Sequence, residues 1–242
     1  MNKSDIEKLY EKKARERRLV NLSFAEKGVE FFDLSLAEID ECVSIGSGTY
    51  IGPGTIIKGA TVIGENCRVG QGCRIENCKI GNDVVIEQSV TLDSVIGDDT
   101  RVGPCAYIRP DCKVGKHCKI GDFVEIKNSN IGDNTKISHL TYVGDADLGS
   151  GINLGCGVVF VNYDGWEKHR SEVGDNAFVG CNVNIVSPVK IGAGAYIAAG
   201  GTVTSDIAPG ALFVARDRGR SIEGWVARRG DLLRTRFEKQ GG

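Results

Sequence analysis

Proline is scarce in this chain, at 5 of 242 residues, and nowhere is there an apolar run of the roughly 18 residues that a membrane-spanning helix needs. The first shortage sets its 33 glycines apart from a disordered or collagen-like chain, although they stand at about twice the usual ~7 %; they must serve regular turns. Excess charge of one sign is missing too. A formal net charge of -2 gives no general basic field for nucleic acid, and no membrane contact is expected. The first residues, MNKSDIEKLYEKKARERR, lack the apolar stretch and small-residue cleavage site of an export signal. The 9 cysteines are therefore read as reduced thiols of a cytoplasmic protein rather than as a disulfide framework. Zinc knuckles of the C-x2-C type are absent. The three histidines, His117, His139 and His169, lie 22 and 30 positions apart, which does not fit a close-set zinc triad, and no metal is expected.

What is present is a count of six. From Ile45 to about Ser205 an aliphatic residue returns every six positions, usually followed by Gly: IGSGTY, IGPGTI, IKGATV, IGENCR, VGQGCR, later VGPCAY, IRPDCK, VGKHCK, IGDFVE, then VGDNAF, VGCNVN, IVSPVK, IGAGAY. Such internal repetition decides the architecture. Three sixes make a coil whose short strands pair in parallel with those of the next coil at about 4.8 Å, so about nine coils give a prism on the order of 40 Å long. The first position of each six points inward, and the fifth holds Thr, Ala, Val or Cys because a corner there leaves little room. Cys67, Cys73, Cys112 and Cys118 all stand at that fifth place and read as buried filler.

This hexapeptide pattern resembles that of the left-handed parallel β-helix, an all-β triangular solenoid, which stacks its coils as a one-dimensional array and needs caps. Residues 1–44 are assigned to a helix and lead-in cap, 45–206 to the solenoid, and 207–242 to a tail rich in arginine (Arg216, Arg218, Arg220, Arg228, Arg229, Arg234 and Arg236). Between Phe160 and Val173 the count breaks, and residues 161–172 must leave the wall as a loop of the kind that carries function.

Residues 18 apart across unbroken sixes share a face in adjacent coils. Arg109 and Lys127 meet that condition; stacked cations repel unless an anion lies between them, and a phosphate suits the place. Cys181 and Ala199 meet it as well, two small residues on a wall where a flat ligand can approach backbone. In KISHLTYVGDA, residues 136 to 146, Ile137 and Thr141 keep the structural places while His139 and Tyr142 occupy the variable ones. Histidine is suited to take a proton near neutral pH, and Glu125 in the coil before is a candidate to orient it.

Together the motifs GPCAYIRPD, GDFVEIKNS, SHLTYVGDADLG, INLGCG, VNYDG, VGDNAFVGCN, YIAAG and IEGW resemble the acetyltransferase half of the bifunctional bacterial enzyme that makes UDP-N-acetylglucosamine from glucosamine 1-phosphate. The resemblance covers roughly residues 20 to 230. It implies acetyl-CoA-dependent N-acetylation of an amino sugar phosphate, at a site between subunits of a homotrimer. His139 would be the general base, supported by Glu125. Arg109, Lys127 and Tyr142 would hold the phosphate, and Asn153, Asn162 and Tyr163 would complete the sugar and thioester site. The acetyl-CoA arm would run along Cys156, Cys181 and Ala199, with Arg216 and Lys168 near its phosphates. The family usually has Ala at the first of these positions and often Ser at the second, so main-chain contacts should survive, and thiols beside a thioester invite oxidation or a mixed disulfide with CoA. No segment resembling L-x-x-G-x-G-T-R opens the chain; a separate uridyltransferase polypeptide is therefore a candidate partner. Two rival readings change the acceptor to another or a nucleotide-linked amino sugar, or treat the prism as a non-catalytic structural trimer.

Overall fold

The computed structural model describes residues 2–216 and 219–229. Of the arginines in the tail, Arg218, Arg234 and Arg236 lie outside the described residues. The chain opens with the helix Lys3–Ala25, started by a reciprocal cap in which Asn2 and Asp5 each accept the other's backbone N–H. Only its last turns meet the rest of the chain. Asn21 and Phe24 are buried there, and Asn21 Nδ2 donates to the carbonyls of Leu34 at 2.8 Å and Ala37 at 2.9 Å, which ties the helix to the first coil.

Every strand pair in the wall is parallel, and the strands fall into three ladders of 11, 10 and 9 members. This is the three-sided parallel β-helix that the repeat implies, with about ten coils rather than nine. The difference arises because pairing already begins at Glu30–Phe31, before the six-residue count can be recognised, and runs on to Leu212–Phe213. We call the face that includes Lys136–His139 the first, that of Tyr142–Gly144 the second, and that of Ala146–Leu148 the third.

The inward positions make one continuous core. On the second face Ile108, Ile126, Val143, Phe160, Ile185 and Val203 stack in successive coils, all fully buried, each worth roughly 1.5–3 kcal/mol of transfer free energy. The corners explain the fifth position. Thr49 Oγ1 donates to the Gly64 carbonyl at 2.9 Å and accepts from Cys67 N at 3.0 Å, so a small side chain both fills the corner and satisfies backbone between coils. Cys67, Cys73, Cys78, Cys112 and Cys118 occupy equivalent sites; burial pushes all five thiols up, Cys78 to about 11. They are packing groups.

The spacing is not a constant 18. Glu125 pairs with Tyr142 and Lys119 with Lys136, both 17 apart, because the segment from Ile126 to Ile131 makes its corner with one residue fewer. Alignments counted in eighteens therefore slip by one residue across this corner. That slip falls beside His139.

Candidate active site

Two side-chain clusters flank one edge of the prism. On the second face the register Tyr107–Glu125 and Ile108–Ile126 sets Arg109 directly below Lys127, as the spacing of 18 implies. The two cations do not share one anion between them, however. Arg109 Nη1 lies 2.8 Å from Glu125 Oε1, and Lys127 Nζ lies 2.9 Å from both oxygens of Asp145. Each is neutralised by a carboxylate one coil away or on the same wall.

Asp145 is almost wholly buried and also accepts from Asn128 Nδ2 at 2.6 Å and from Asn162 Nδ2. Burial pushes its carboxyl up, but the hydrogen bonds from Asn128, Lys127 and Asn162 outweigh that and hold it below the usual carboxylate range. Tyr142 lies over Gly144. A Cβ on that glycine would overlap the Tyr142 hydroxyl and approach Asn162 Nδ2, so the glycine is what lets the ring fold down beside Lys127. The Tyr142 hydroxyl is 3.5 Å from Asn162 Nδ2.

On the first face the strand Lys136–His139 pairs with Lys119–Asp122, and Asp122 is the register partner of His139. Its Oδ1 lies 2.5 Å from His139 Nδ1. Glu125, expected to support this histidine, does not touch it: it belongs to the second face and is engaged with Arg109. The register Lys136–Asn153 and Ile137–Leu154, carried on two residues, brings Cys156 beside His139 in the next coil. Asn153 with Phe178 then places Cys181 over Cys156, and Phe178 with Tyr196 places Ala199 over Cys181. Amide–carbonyl bonds of 2.8 Å from Asn182 N to Cys156 O and from Gly200 N to Cys181 O fix the last two steps. Arg216 Nη1 donates to the Ala199 carbonyl at 2.8 Å. A single column thus runs Asp122, His139, Cys156, Cys181, Ala199, ending at Arg216, with about 4.8 Å per step. Asn153 stands three residues before Cys156 on the same face.

The wall is left after Val161 and regained at Ser171. In between, Tyr163 and Lys168 form an antiparallel bridge, and Asp164 accepts from the N–H groups of Trp166 and Glu167, both at 2.8 Å, and pairs with His169 Nε2 at 2.7 Å. The backbone bond from Glu167, then His169 and Trp166, hold the Asp164 carboxyl well below its usual range. Arg170 anchors the root by its fork on Asp147 and a bond to the Asn128 carbonyl. Asn162, at the start of the excursion, reaches the Asp145 and Tyr142 cluster. Tyr163 and Lys168 do not: the Tyr163 hydroxyl donates to Gly165 O at 2.7 Å and the ring is 55 % exposed. Within one copy they form no hydrogen bond or ion pair with the other candidate residues.

Sequence reasoning missed Asp122, Asp145 and Asn128. The three imidazoles each face a different carboxylate, Asp99, Asp122 and Asp164, and among the described residues no three His, Cys, Asp or Glu side chains are placed to hold a metal ion. No helix is long and apolar enough to cross a membrane among the described residues.

The family model for the bacterial transferase hexapeptide (six repeats) matches residues 93–128 and 170–205, and that for the GMPPB C-terminal domain matches residues 39–109. The bifunctional protein GlmU of Caldicellulosiruptor saccharolyticus is 59 % identical over 114 residues, 47 % of this chain and 25 % of that protein. That of Clostridium beijerinckii is 59 % identical over 108 residues, 45 % of this chain and 24 % of that protein. The match thus spans about a quarter of the length of these relatives. Among solved structures, UDP-N-acetylglucosamine acyltransferase from Campylobacter jejuni superposes with a TM-score of 0.56 at 21 % identity, over 85 % of this chain and 81 % of that one. The Arabidopsis enzyme of that name gives 0.58 at 20 % identity, over 80 % and 75 %. At that identity the likeness is one of fold. The resemblance expected over roughly residues 20 to 230 is thus matched over 114 residues, and the chain is a hexapeptide-repeat β-solenoid homologous, over close to half of its own length, to the bifunctional protein GlmU.

Proposed function

We propose that this chain is an acetyl-CoA-dependent N-acetyltransferase acting on the amine of glucosamine 1-phosphate, in the cytoplasm and as a homotrimer. The observation that carries the reading is the meeting of two sites at one edge. His139 ends the first face and heads a column of small residues, while Tyr142, three residues on, opens the second face beside Arg109 and Lys127. A thioester lying along Cys156, Cys181 and Ala199 would bring its carbonyl toward His139, with the Arg216 guanidinium at the far end for its phosphates. A sugar phosphate held by Arg109, Lys127 and Tyr142 would bring its amine to the same edge.

The step needs little machinery. The neutral amine attacks the thioester carbonyl, His139 Nε2 takes the proton, and the tetrahedral adduct collapses with the CoA thiolate leaving; positioning supplies most of the acceleration. Asn162, braced on Asp145, would touch the sugar. A phosphate arriving between Arg109 and Lys127 would compete with Glu125 and Asp145 for them, so binding exchanges one carboxylate partner for another anion rather than filling a bare cationic pair. Tyr163 and Lys168 stand on a braced hairpin that does not turn back to its own site, which supports their serving the site of a neighbouring copy.

The test is CoA thiol release with glucosamine 1-phosphate, glucosamine 6-phosphate and a UDP-linked amino sugar as acceptors. Release is expected with the first well above the other two, and a His139→Ala variant should lose about 10²-fold or more in turnover while still binding acetyl-CoA. Release with none of the three, or unchanged turnover in the variant, defeats the reading.

A further inference from the structure

We propose that Asp122, rather than Glu125, is the positioning residue for His139: it fixes the ring's tautomer and receives its charge as the proton is taken. The inference rests on the acetyltransferase reading for its catalytic part and on geometry alone for the pairing.

The pairing follows from how the coils stack. Gly121 precedes Asp122, and a Cβ there would run into the Ser138 carbonyl of the next coil. The glycine therefore permits the close approach that puts Asp122 level with His139. Leu140 N then donates to Asp122 O at 3.0 Å, locking the backbone of one corner to the other, and Asp122 Oδ1 lies 2.5 Å from Nδ1. Two register-paired, backbone-locked residues lose little freedom in meeting, unlike two long side chains in a chance surface pair.

An ionised carboxylate can only accept. Its hydrogen bond to His139, the local backbone and the nearby Lys119 keep Asp122 below the usual carboxylate range, against the smaller opposing effect of desolvation. Nδ1 must then carry the proton, and in the neutral ring the lone pair is left on Nε2, where no other described group forms a hydrogen bond. That is the nitrogen available to an incoming amine. When it is protonated, the new positive charge stands against a carboxylate one strand spacing away. The other charged or titratable groups on the elements packed at this corner are Lys119 and Lys136 on the paired strands and Cys156 in the next coil, with Glu125 and Tyr142 on the second face. Of the carboxylates among them, Glu125 is bonded to Arg109; its duty is to hold the guanidinium that meets the phosphate.

The two roles separate experimentally with Asp122→Asn, Asp122→Glu and Glu125→Gln in the full chain. The ¹⁵N shifts of the His139 imidazole, read without substrate, should show one Nδ1–H tautomer in the natural protein. A mixture is expected in Asp122→Asn, because an amide can donate as well as accept, and the single tautomer should return in Asp122→Glu. Glu125→Gln should leave the tautomer as it was. In turnover, Asp122→Asn should lower kcat roughly 10- to 100-fold with little change in KM for acetyl-CoA, and move the acidic limb of the pH–rate profile to lower pH. Glu125→Gln should instead raise KM for the amino sugar phosphate. An unchanged tautomer in Asp122→Asn, a changed one in Glu125→Gln, or an unchanged kcat in an active Asp122→Asn enzyme overturns the assignment. Absence of acetyl transfer in the natural protein would count against the proposed function only, since the NMR comparison decides the pairing without it.

Discussion

Asp145 shows how much of the candidate site hangs on one buried group. Lys127, Asn128 and Asn162 all converge on its two oxygens, so Asp145→Asn keeps the shape but leaves the Lys127 ammonium without its counter-charge. The expected loss is about 3 kcal/mol at pH 7, as for breaking one side of a buried pair, read by chemical denaturation. Its sign with pH is fixed. The folded carboxyl lies below the ordinary 3.8, so its contribution is complete above that value and is lost as pH falls through the folded one. The gap between the natural protein and the variant should therefore begin to close only as pH falls below 3.8 and vanish once the folded carboxyl is itself protonated, and a gap that persists after that would mean the loss is steric. At this scale His139 and Tyr142 were readable because imidazole and phenol are foreign to a lattice of aliphatic and small residues. Asp122 and Asp145 were not, since Gly-Asp recurs as an ordinary corner. Asp98, Asp133 and Asp175 follow glycine too, and there the carboxylate receives a backbone N–H from the coil before, with Asp98 also pairing with Lys116 on the surface. One dipeptide does different work on different edges of the prism.

The corners are the elements in which the chain departs most from its own rule. Most of its non-glycine residues with positive φ are Asn or Asp, which tolerate the left-handed region; Phe123 and Leu140 take it as well, at φ 55° and 47°. Both are more than half exposed and they occupy one edge in adjacent coils, between the His139 and Tyr142 clusters. An ordinary side chain in that conformation costs roughly 1–2 kcal/mol, and an exposed leucine regains little of it by burial. Leu140→Asn is therefore expected to raise the stability of the isolated chain by about 1 kcal/mol, measured as an upward shift of the thermal midpoint. A loss of stability would show that the leucine is covered by a second copy under the conditions used. The same corners explain a limit of counting. Parallel pairing and three faces follow from any sustained repeat of six, but a five-residue turn at Asn128–Ser129 shifts the register to 17. A count of 18 back from His139 then reaches Gly121 and misses Asp122 by one place. Backbone pairing, which the sequence does not print, was needed to identify the partner.

For the whole molecule, the question is which copy the excursion serves. Its hairpin is fixed at the root by Arg170 on Asp147 and braced internally by Asp164, so it projects as a preset element rather than a slack loop. Asn162 turns inward while Tyr163 faces out, within two adjacent residues, as expected of a segment that leaves one wall to meet another. The repeat carries no information here, because residues 162–170, a shorter stretch than the 161–172 expected from the count since Val161, Ser171 and Glu172 still pair in the wall, obey neither its spacing nor its inward–outward alternation. If the site is shared in a closed ring of three, each centre takes His139 from one copy and Tyr163 from the next. Complementation tests this directly. His139→Ala and Tyr163→Ala, each impaired alone, should regain activity when denatured together and refolded as mixed oligomers, because some interfaces then combine an intact histidine with an intact tyrosine. Refolding each variant alone gives the baseline, and a sedimentation measurement confirms that the mixtures are oligomeric. If mixed oligomers form without any gain over the baseline, Tyr163 acts in its own copy, and the excursion must move back toward the Tyr142 edge for the reaction to occur.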